Sequence, residues 1–218
     1  CIRDSIQIVG RGSGKGHTNR IACYSKFPIL SSRTLDYASE YNGSVVYELK
    51  MGEDTVMLIN NHLESNKLTK EDKVVYESML KSPETEKVKS GARLLIRKLA
   101  EASAIRAPQA DSIAQEIAAS RYPYIIVCGD FNDTPISYAH RVIEKGLNDA
   151  FTKSGRGLGI SYNQNKFYFR IDNILTSKNL RAYNCTVDRS IKESDHYPIW
   201  CYITTVSYTH LRAHETSL

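Results

Sequence analysis

The sequence lacks long hydrophobic runs and paired cysteines. None of its apolar stretches approaches the length of a membrane-spanning helix. Its five cysteines include no Cys-x-x-Cys spacing, so neither a zinc site nor a disulfide framework is predicted. Cys128 and Cys201 lie in apolar, strand-like runs and are expected to be small buried hydrophobes. With 218 residues, the chain is long enough for one domain with a substantial core.

The sequence also lacks a phosphate-binding loop of the P-loop type and a dense basic run. Gly10–Gly16 is rich in glycine, but only three residues separate Gly10 from Gly14, and Gly16 stands where Ser or Thr is required. We interpret the segment as a flexible loop near the substrate. The net charge of +5 mildly favours an anionic partner. Basic residues interleaved with aromatics, which are typical of nucleic-acid binding, do not occur as a dense run.

Four polar clusters stand at the ends of strand-like runs. Each combines carboxylate, amide or imidazole side chains with an adjoining apolar run, and together they are Asn60–Glu64, Cys128–Pro135, Arg170–Leu175 and Ser194–Pro198. Any one of them could be an Asx-rich turn or hold a structural histidine. Strand ends keep side chains rigid but open to a cleft, and their convergence is a common way for a sheet protein to build a site. The four clusters therefore predict one shared site.

In this order, the four clusters resemble the motifs of the endonuclease/exonuclease/phosphatase superfamily. This superfamily includes deoxyribonucleases, abasic-site endonucleases, sphingomyelinases and inositol-polyphosphate phosphatases. The resemblance runs from about Asn19 to Thr204. It implies a divalent-metal-dependent hydrolase of phosphate esters, with Mg²⁺ as the expected ion and Mn²⁺ as the alternative.

The resemblance also implies catalytic roles for five residues. Asp130 would activate or orient the attacking water, and Asn132 would donate its amide to a phosphate oxygen. Asp172 would hydrogen-bond His196 and stabilise its protonated form, so that His196 could stabilise charge on the phosphoryl group. His62 would donate a proton or a hydrogen bond to the phosphate or the leaving group.

Asp195 is the predicted metal ligand. The family brings a further ligand, a Glu, from its opening strands, and no strand ending in Gln-Glu precedes Asn19. We therefore expect a domain over residues 1–205 that lacks the first strands of the family, and the fragment is expected to have little activity. Residues 206–218 resemble translated sequencing-adapter read-through and are expected to lie outside the domain.

Supporting roles are predicted for Asn60, Ser194 and Arg170. Asn60 would hold the loop that carries His62, Ser194 would position the pair that follows it, and Arg170 would line the substrate groove. Glu64 and Asp133 are interpreted as loop-capping residues. Basic residues that flank the last two clusters could guide a phosphate-bearing substrate, and they are Lys166, Arg170, Lys178, Arg181, Arg189 and Lys192.

The coarse pattern predicts an α+β fold. Val45–Lys50 and Thr55–Asn60 form a predicted hairpin that turns at Gly52, and a long helical crossover covers Lys70–Ser120. A shorter helix is predicted over Ile136–Lys145. The resemblance sharpens this fold to a four-layer α/β/β/α sandwich of two mixed β-sheets flanked by helices.

One face of the predicted crossover combines apolar residues with an arginine. Leu95, Leu99, Ala102 and Arg106 recur at helical spacing, and this face is expected to cover the sheet. Pro83 and Pro108 are expected to break or kink the region.

The first functional hypothesis is a phosphodiesterase or endonuclease-like enzyme. A phosphatase or a sphingomyelinase-like phospholipid diesterase of the same family is the second, and a non-catalytic binding domain with the family fold is the third. Abasic-site enzymes usually carry Leu where this chain has Phe131, which argues slightly against DNA repair. The expected partner is a phosphate ester, namely nucleic acid, phospholipid or inositol phosphate. No protein partner is implied, a monomer is expected, and no compartment is predicted.

Overall fold

The computed structural model describes residues 5–12, 18–39, 42–81, 86–163 and 167–206. Residues 13–16 of the glycine-rich segment, Pro83, Lys166 and the predicted tail from 207 onward lie outside this part. The elements in chain order are β1 Ser5–Gly12, β2 Thr18–Ser25, β3 Ile29–Thr34, β4 Gly43–Met51, β5 Asp54–His62, α1 Lys70–Lys81, α2 Glu86–Ala119, β6 Tyr124–Asp130, α3 Tyr138–Glu144, β7 Leu147–Asp149, α4 Ala150–Ser154, β8 Asp172–Ser177, β9 Leu180–Val187 and β10 Ile199–Thr205.

A six-stranded mixed sheet is the centre of the fold. Its strand order is β3-β4-β5-β6-β8-β7. The β5–β6 pair is parallel, and the other pairs are antiparallel. The parallel pair needs a long connection, which α1 and α2 supply. β5 and β6 therefore end at the same edge of the sheet.

Helices cover one face of this sheet. Residues of β4, β5, β6 and β8 that point to this face form the largest core cluster, together with Ala110 and Ile113 of α2 and Ala139 and Ile143 of α3. The side chains of Ile113 and Ile143 are fully buried. Burial of apolar side chains of this size stabilises a fold by about 1.5–3 kcal/mol each.

Two antiparallel strand pairs cover the opposite face. The β1–β2 pair contributes Cys23, which packs with Val45 and Tyr47 of β4. The β9–β10 pair contributes Ala182 and Cys185 to a third cluster with α4. The alternation of Val45 and Val46 between opposite faces follows from the two-residue period of a strand.

The predicted α+β fold is thus confirmed, with a layer of helices and a mixed sheet; in the described residues the second strand layer consists of two antiparallel pairs and not of a second mixed sheet. The predicted hairpin with its turn at Gly52 is also present, and Gly52 has a φ of 63°. β1 was not predicted, because Gly10 and Gly12 interrupt its pattern; in the structure they pair with β2 instead of forming a loop. The expectation of a break at Pro108 is wrong, since α2 continues through it.

Candidate active site

Three predicted catalytic residues lie side by side at the edge where β5 and β6 end. His62 is the last residue of β5 and pairs in register with Asp130, the last residue of β6. Asp130 pairs in turn with Asp172, the first residue of β8. Residues in register on adjacent strands point to the same face of a sheet. Sheet register therefore brings together an imidazole and two carboxylates from distant parts of the chain.

Gly129 allows β5 and β6 to approach closely just before this row of residues. Its φ is +123°, and a Cβ atom there would lie 2.0 Å from the backbone oxygen of Asn61. Only glycine adopts such a conformation without strain. The Gly-Asp sequence at the end of β6 is therefore a requirement of the backbone as well as of the chemistry.

His196 completes the group from the loop that precedes β10. Its Nδ1 lies 2.7 Å from Oδ2 of Asp172, and in the tautomer that suits this contact it donates to the carboxylate. The hydroxyl of Ser161 accepts hydrogen bonds from the backbone N–H groups of Ile171 and Asp172, at 3.2 and 3.1 Å. The ring of Tyr162 lies edge-on to His196, with centroids 5.1 Å apart. Both members of the histidine–carboxylate pair are thus held in place.

Asp130 stands between the two histidines. Its Oδ2 lies 3.8 Å from Nε2 of His62 and 4.0 Å from Nε2 of His196. Burial and the charge of Asp172 raise the pKa of Asp130 to about 7. Burial and the charge of His196 lower the pKa of His62. Burial also opposes protonation of His196, but the hydrogen bond and charge of Asp172 outweigh it and raise the pKa of His196.

Asn132 lies in a tight turn directly after β6. Its φ of 50° is in the left-handed region, and its backbone N–H donates to Oδ1 of Asp130 at 2.7 Å. One amide hydrogen of its side chain is used by the backbone oxygen of Leu63 at 2.9 Å. The side-chain amide carries a second N–H, and Asn132 lines the cleft.

Arg106 of α2 supports this turn, although the sequence pattern indicated only a packing role for it. The residue is 1% exposed, and its guanidinium donates to Asp133, Asn66, Ser103 and the backbone oxygen of Glu64. Asn66 in turn donates to the backbone oxygen of Asn132 at 3.0 Å. A charged residue on an otherwise apolar helix face was the sequence signal for such a role.

The two predicted loop-capping residues take part in the same network. Asp133 accepts from Arg106 and also accepts the N–H of Thr134 at 2.9 Å. Glu64 is 3% exposed, pairs with Lys67 at 2.9 Å and accepts from Ser39 at 3.2 Å. Both carboxylates therefore organise loops around the cleft.

The remaining predicted residues lie further from the cluster. Asn60 donates to the backbone oxygen of Ala22 in β2 at 3.4 Å. Ser194 accepts the backbone N–H of His196 at 3.2 Å. Asp195 is exposed and lies along the cleft, where its negative charge contributes to the raised pKa of His196.

Arg170 lies under the site and not along the groove. It is 8% exposed, forms a two-pronged ion pair with Asp149 and packs its guanidinium over Phe151 at 5.3 Å. Burial would raise the pKa of Asp149, but the nearby imidazole of His140, at 3.6 Å, and the hydrogen bonds from Arg170 outweigh this and lower it well below its usual range. This ion pair anchors the segment that leads into β8.

The cluster of Asp130, Asp172 and His196 has the chemistry of a cation site. One donor atom from each residue lies within 4.8 Å of the others. Burial and repulsion by the neighbouring carboxylate of Asp172 together raise the pKa of Asp130, and a bound cation would relieve this repulsion. Divalent Mg²⁺ prefers oxygen ligands and keeps several waters, so two carboxylates are a sufficient protein contribution. The residues present therefore fit the metal that the motifs imply.

The cluster opens into a cleft of about 870 Å³. The model of the Endonuclease/Exonuclease/phosphatase family matches residues 3–196. The chain belongs to this family. Its members are hydrolases of phosphate esters, so the predicted membership and the coarse activity class are confirmed.

Solved structures share the family fold at low sequence identity. A D. rerio TDP2 complexed with single-strand DNA product is 18% identical, with a TM-score of 0.61 over 92% of this chain and 78% of that one. The human Nocturnin catalytic domain with bound sulfate is 13% identical, with a TM-score of 0.60 over 93% and 73%. A mannosyl-6-phosphatase of Bacteroides thetaiotaomicron is 17% identical, with a TM-score of 0.53 over 91% and 77%. At these identities the likeness establishes the fold.

A search of the curated proteins finds no significant sequence match. Within the described ranges, no helix is long and apolar enough to cross a membrane.

Proposed function

We propose that this chain is a divalent-metal-dependent hydrolase of phosphate diesters with endonuclease-like chemistry. The observation that carries the proposal is the row of His62, Asp130 and Asp172 in register, joined by the hydrogen bond between Asp172 and His196. Phosphate esters repel nucleophiles through their own charge, so a site for their hydrolysis must supply positive charge and an activated water. The cluster contains groups for both tasks.

His196 acts as the cationic partner of the phosphate. Asp172 accepts from its Nδ1, which leaves Nε2 directed away from this contact and able to donate to a phosphoryl oxygen. The negative charge of Asp172 favours the protonated ring. Charge that develops on the phosphoryl group would therefore meet a preorganised donor.

Asp130 acts on the attacking water, and His62 acts on the phosphate or the leaving group. Asp130 lies within 4.0 Å of both imidazoles and is the carboxylate that orients or deprotonates the attacking water. His62 has a lowered pKa, so it is neutral over most of the physiological range and donates a hydrogen bond to the phosphate or to the leaving oxygen. The second N–H of the Asn132 amide adds a neutral donor.

A divalent cation, Mg²⁺ or Mn²⁺, fits Asp130 and Asp172, and Asp195 is the further carboxylate along the cleft. When bound, it supplies positive charge to the phosphate and lowers the pKa of water. Ser194 positions Asp195 and His196, whereas Asn60 and Arg170 support the strands behind the cluster. In this proposal these residues set the orientation of the catalytic side chains and the charge of the site.

The test is hydrolysis of bis-p-nitrophenyl phosphate by the purified chain, assayed at high protein concentration because little activity is expected of it. Turnover is expected with Mg²⁺ or Mn²⁺, is lost with chelator, and falls by about 10²–10⁴-fold in His196→Ala. Asp111→Asn, which changes an exposed carboxylate on α2 that accepts from Tyr138, is the matched control and should retain activity.

Plasmid DNA, sphingomyelin and inositol polyphosphates then distinguish the branches of the family. Cleavage of DNA supports the endonuclease-like assignment, and preferred release of phosphate from a monoester supports a phosphatase. Absence of turnover on every ester by cooperatively folded protein would instead support a binding domain.

A further inference from the structure

The cleft has a second wall that takes no part in the proposed chemistry. Part of its lining is the polar group around Asp130. Another part is apolar, and α1, α2 and the segment before β8 contribute Tyr76, Leu95, Leu99, Phe167 and Phe169 to it. Hydrolysis of a phosphate ester does not in itself require this apolar wall. The wall therefore indicates which further group the substrate carries beside its phosphate.

The apolar wall is already packed in the described structure. The rings of Tyr76 and Phe167 are stacked with centroids 4.5 Å apart, and Phe167 and Phe169 lie 5.7 Å apart. Phe167 is 3% exposed and Leu95 is 4% exposed, whereas Leu99 retains 36% exposure. A ligand would meet a preformed surface, with Leu99 as its most accessible member. Preformed apolar surfaces bind flat apolar groups without a large ordering cost.

The cations along the cleft do not suit a highly charged substrate. Within the described part of the chain these are Lys67, Lys73 and Arg106, apart from the histidines. Arg106 is engaged by Asp133 and its other partners, and Lys67 pairs with Glu64. Lys73 is left as the cation for one further anionic group. Recognition of several phosphates requires several available cations in one place.

We propose that the substrate is a phosphate ester that carries a flat apolar or aromatic group next to the scissile phosphate. This group packs on the apolar wall formed by Tyr76, Leu95, Leu99, Phe167 and Phe169. The inference rests on the proposed phosphoesterase function and names its substrate class. Sugar phosphates and inositol polyphosphates, which present hydroxyls or several charges, fit this wall poorly.

Two variants on the wall test the inference in kinetics. With bis-p-nitrophenyl phosphate, Leu99→Gln and Tyr76→Ala should raise KM about five- to tenfold and leave kcat within about twofold. Ile96→Gln is the matched control, because Ile96 lies on the same helix, is 62% exposed and does not line the cleft. An unchanged KM in both wall variants, with normal unfolding transitions, would overturn the inference.

A binding measurement separates failure of this inference from failure of the proposed function. Calorimetry in the presence of Mg²⁺ compares phenylphosphonate with methylphosphonate, which share one head group and differ in the apolar part. Wild type and Ile96→Gln should bind the phenyl compound about tenfold more tightly, and Leu99→Gln should reduce this preference. Equal affinities in wild type would refute the apolar subsite even if esters are hydrolysed. A phenyl preference without any turnover would retain the subsite and contradict the hydrolase.

Discussion

Nη2 of Arg106 lies 2.9 Å from Oδ2 of Asp133, and the arginine side chain is almost completely buried. This ion pair joins the middle of α2 to the turn that follows β6. Further hydrogen bonds from the same guanidinium reach Asn66 and the backbone of Glu64. One side chain thus fixes both loops that border the row of His62, Asp130 and Asp172. Removal of a partner from such a buried pair leaves an uncompensated charge.

We expect Arg106→Met to lower the free energy of unfolding by about 3–5 kcal/mol. Urea denaturation followed by circular dichroism measures the change. Arg97→Met is the matched control on the same helix, because Arg97 and its partner Glu101 are 77% and 62% exposed, and about 0.5 kcal/mol or less is expected. A loss below about 1 kcal/mol for Arg106→Met would show that the buried network is dispensable.

Asp172 and His196 should act as one unit in catalysis. Asp172→Asn and His196→Ala are each expected to lower kcat by about 10²–10⁴-fold, and the double variant should be little slower than the worse single variant. The reason is that loss of either partner already abolishes the oriented, charged imidazole. Steady-state kinetics with one diester measures kcat for the wild type, the two single variants and the double variant. If the two losses in kcat multiply in the double variant, a shared role is contradicted.

Asp130→Asn should lower the activity and raise the stability of the protein. The buried carboxylate is held next to Asp172, so replacing it with a neutral isostere removes repulsion. In chelator, we expect its free energy of unfolding to exceed that of wild type by about 1–3 kcal/mol. Addition of Mg²⁺ should raise the Tm of wild type and not that of the variant. A variant less stable than wild type in chelator would be evidence against the repulsion.

The Asp149–Arg170 pair should make the free energy of unfolding depend on pH in the acid range. Because the folded pKa of Asp149 is lowered, its contribution is fully present above the unfolded-state pKa of about 4 and is lost as pH falls below that value. Asp149→Asn should be less stable at pH 7 by about 3–5 kcal/mol, since Arg170 is left buried and unpaired. It should also lose less stability between about pH 5 and 2 than wild type does.

Urea unfolding at several pH values measures both effects. Asp54→Asn, which changes an exposed carboxylate at the start of β5, is the control and should follow the wild-type profile. Parallel profiles of Asp149→Asn and wild type would refute the linkage.

The strand-end residues could be predicted because their signal is local. Asp130 and His62 each follow an apolar run, and four such polar clusters at strand ends, in the order of the family motifs, predicted one shared site. Arg106 could not be assigned in this way, since its partners lie in loops that only the folded chain brings near α2. The same holds for Ser161, whose hydroxyl holds the start of β8.

Arg170 was assigned a place from its neighbours in the sequence, and the structure places it elsewhere. Its position two residues before Asp172 suggested a place along the groove, but in the folded chain its guanidinium pairs with Asp149 at the end of β7. Asp195 was predicted from the family resemblance as the remaining acidic candidate for the metal, and it stays a proposed metal ligand, exposed and along the cleft. Membership of a sequence motif therefore does not define which side chains come into contact.

The parallel pairing of β5 and β6 has a consequence for how the enzyme forms. The whole α1–α2 crossover separates the two strands, so their pairing closes a long loop at an entropic cost. Such non-local pairings are slow steps in folding. We therefore expect His62 and Asp130 to become neighbours only when the crossover has docked, so that hydrolytic competence arises with the native state and not in partly folded chains.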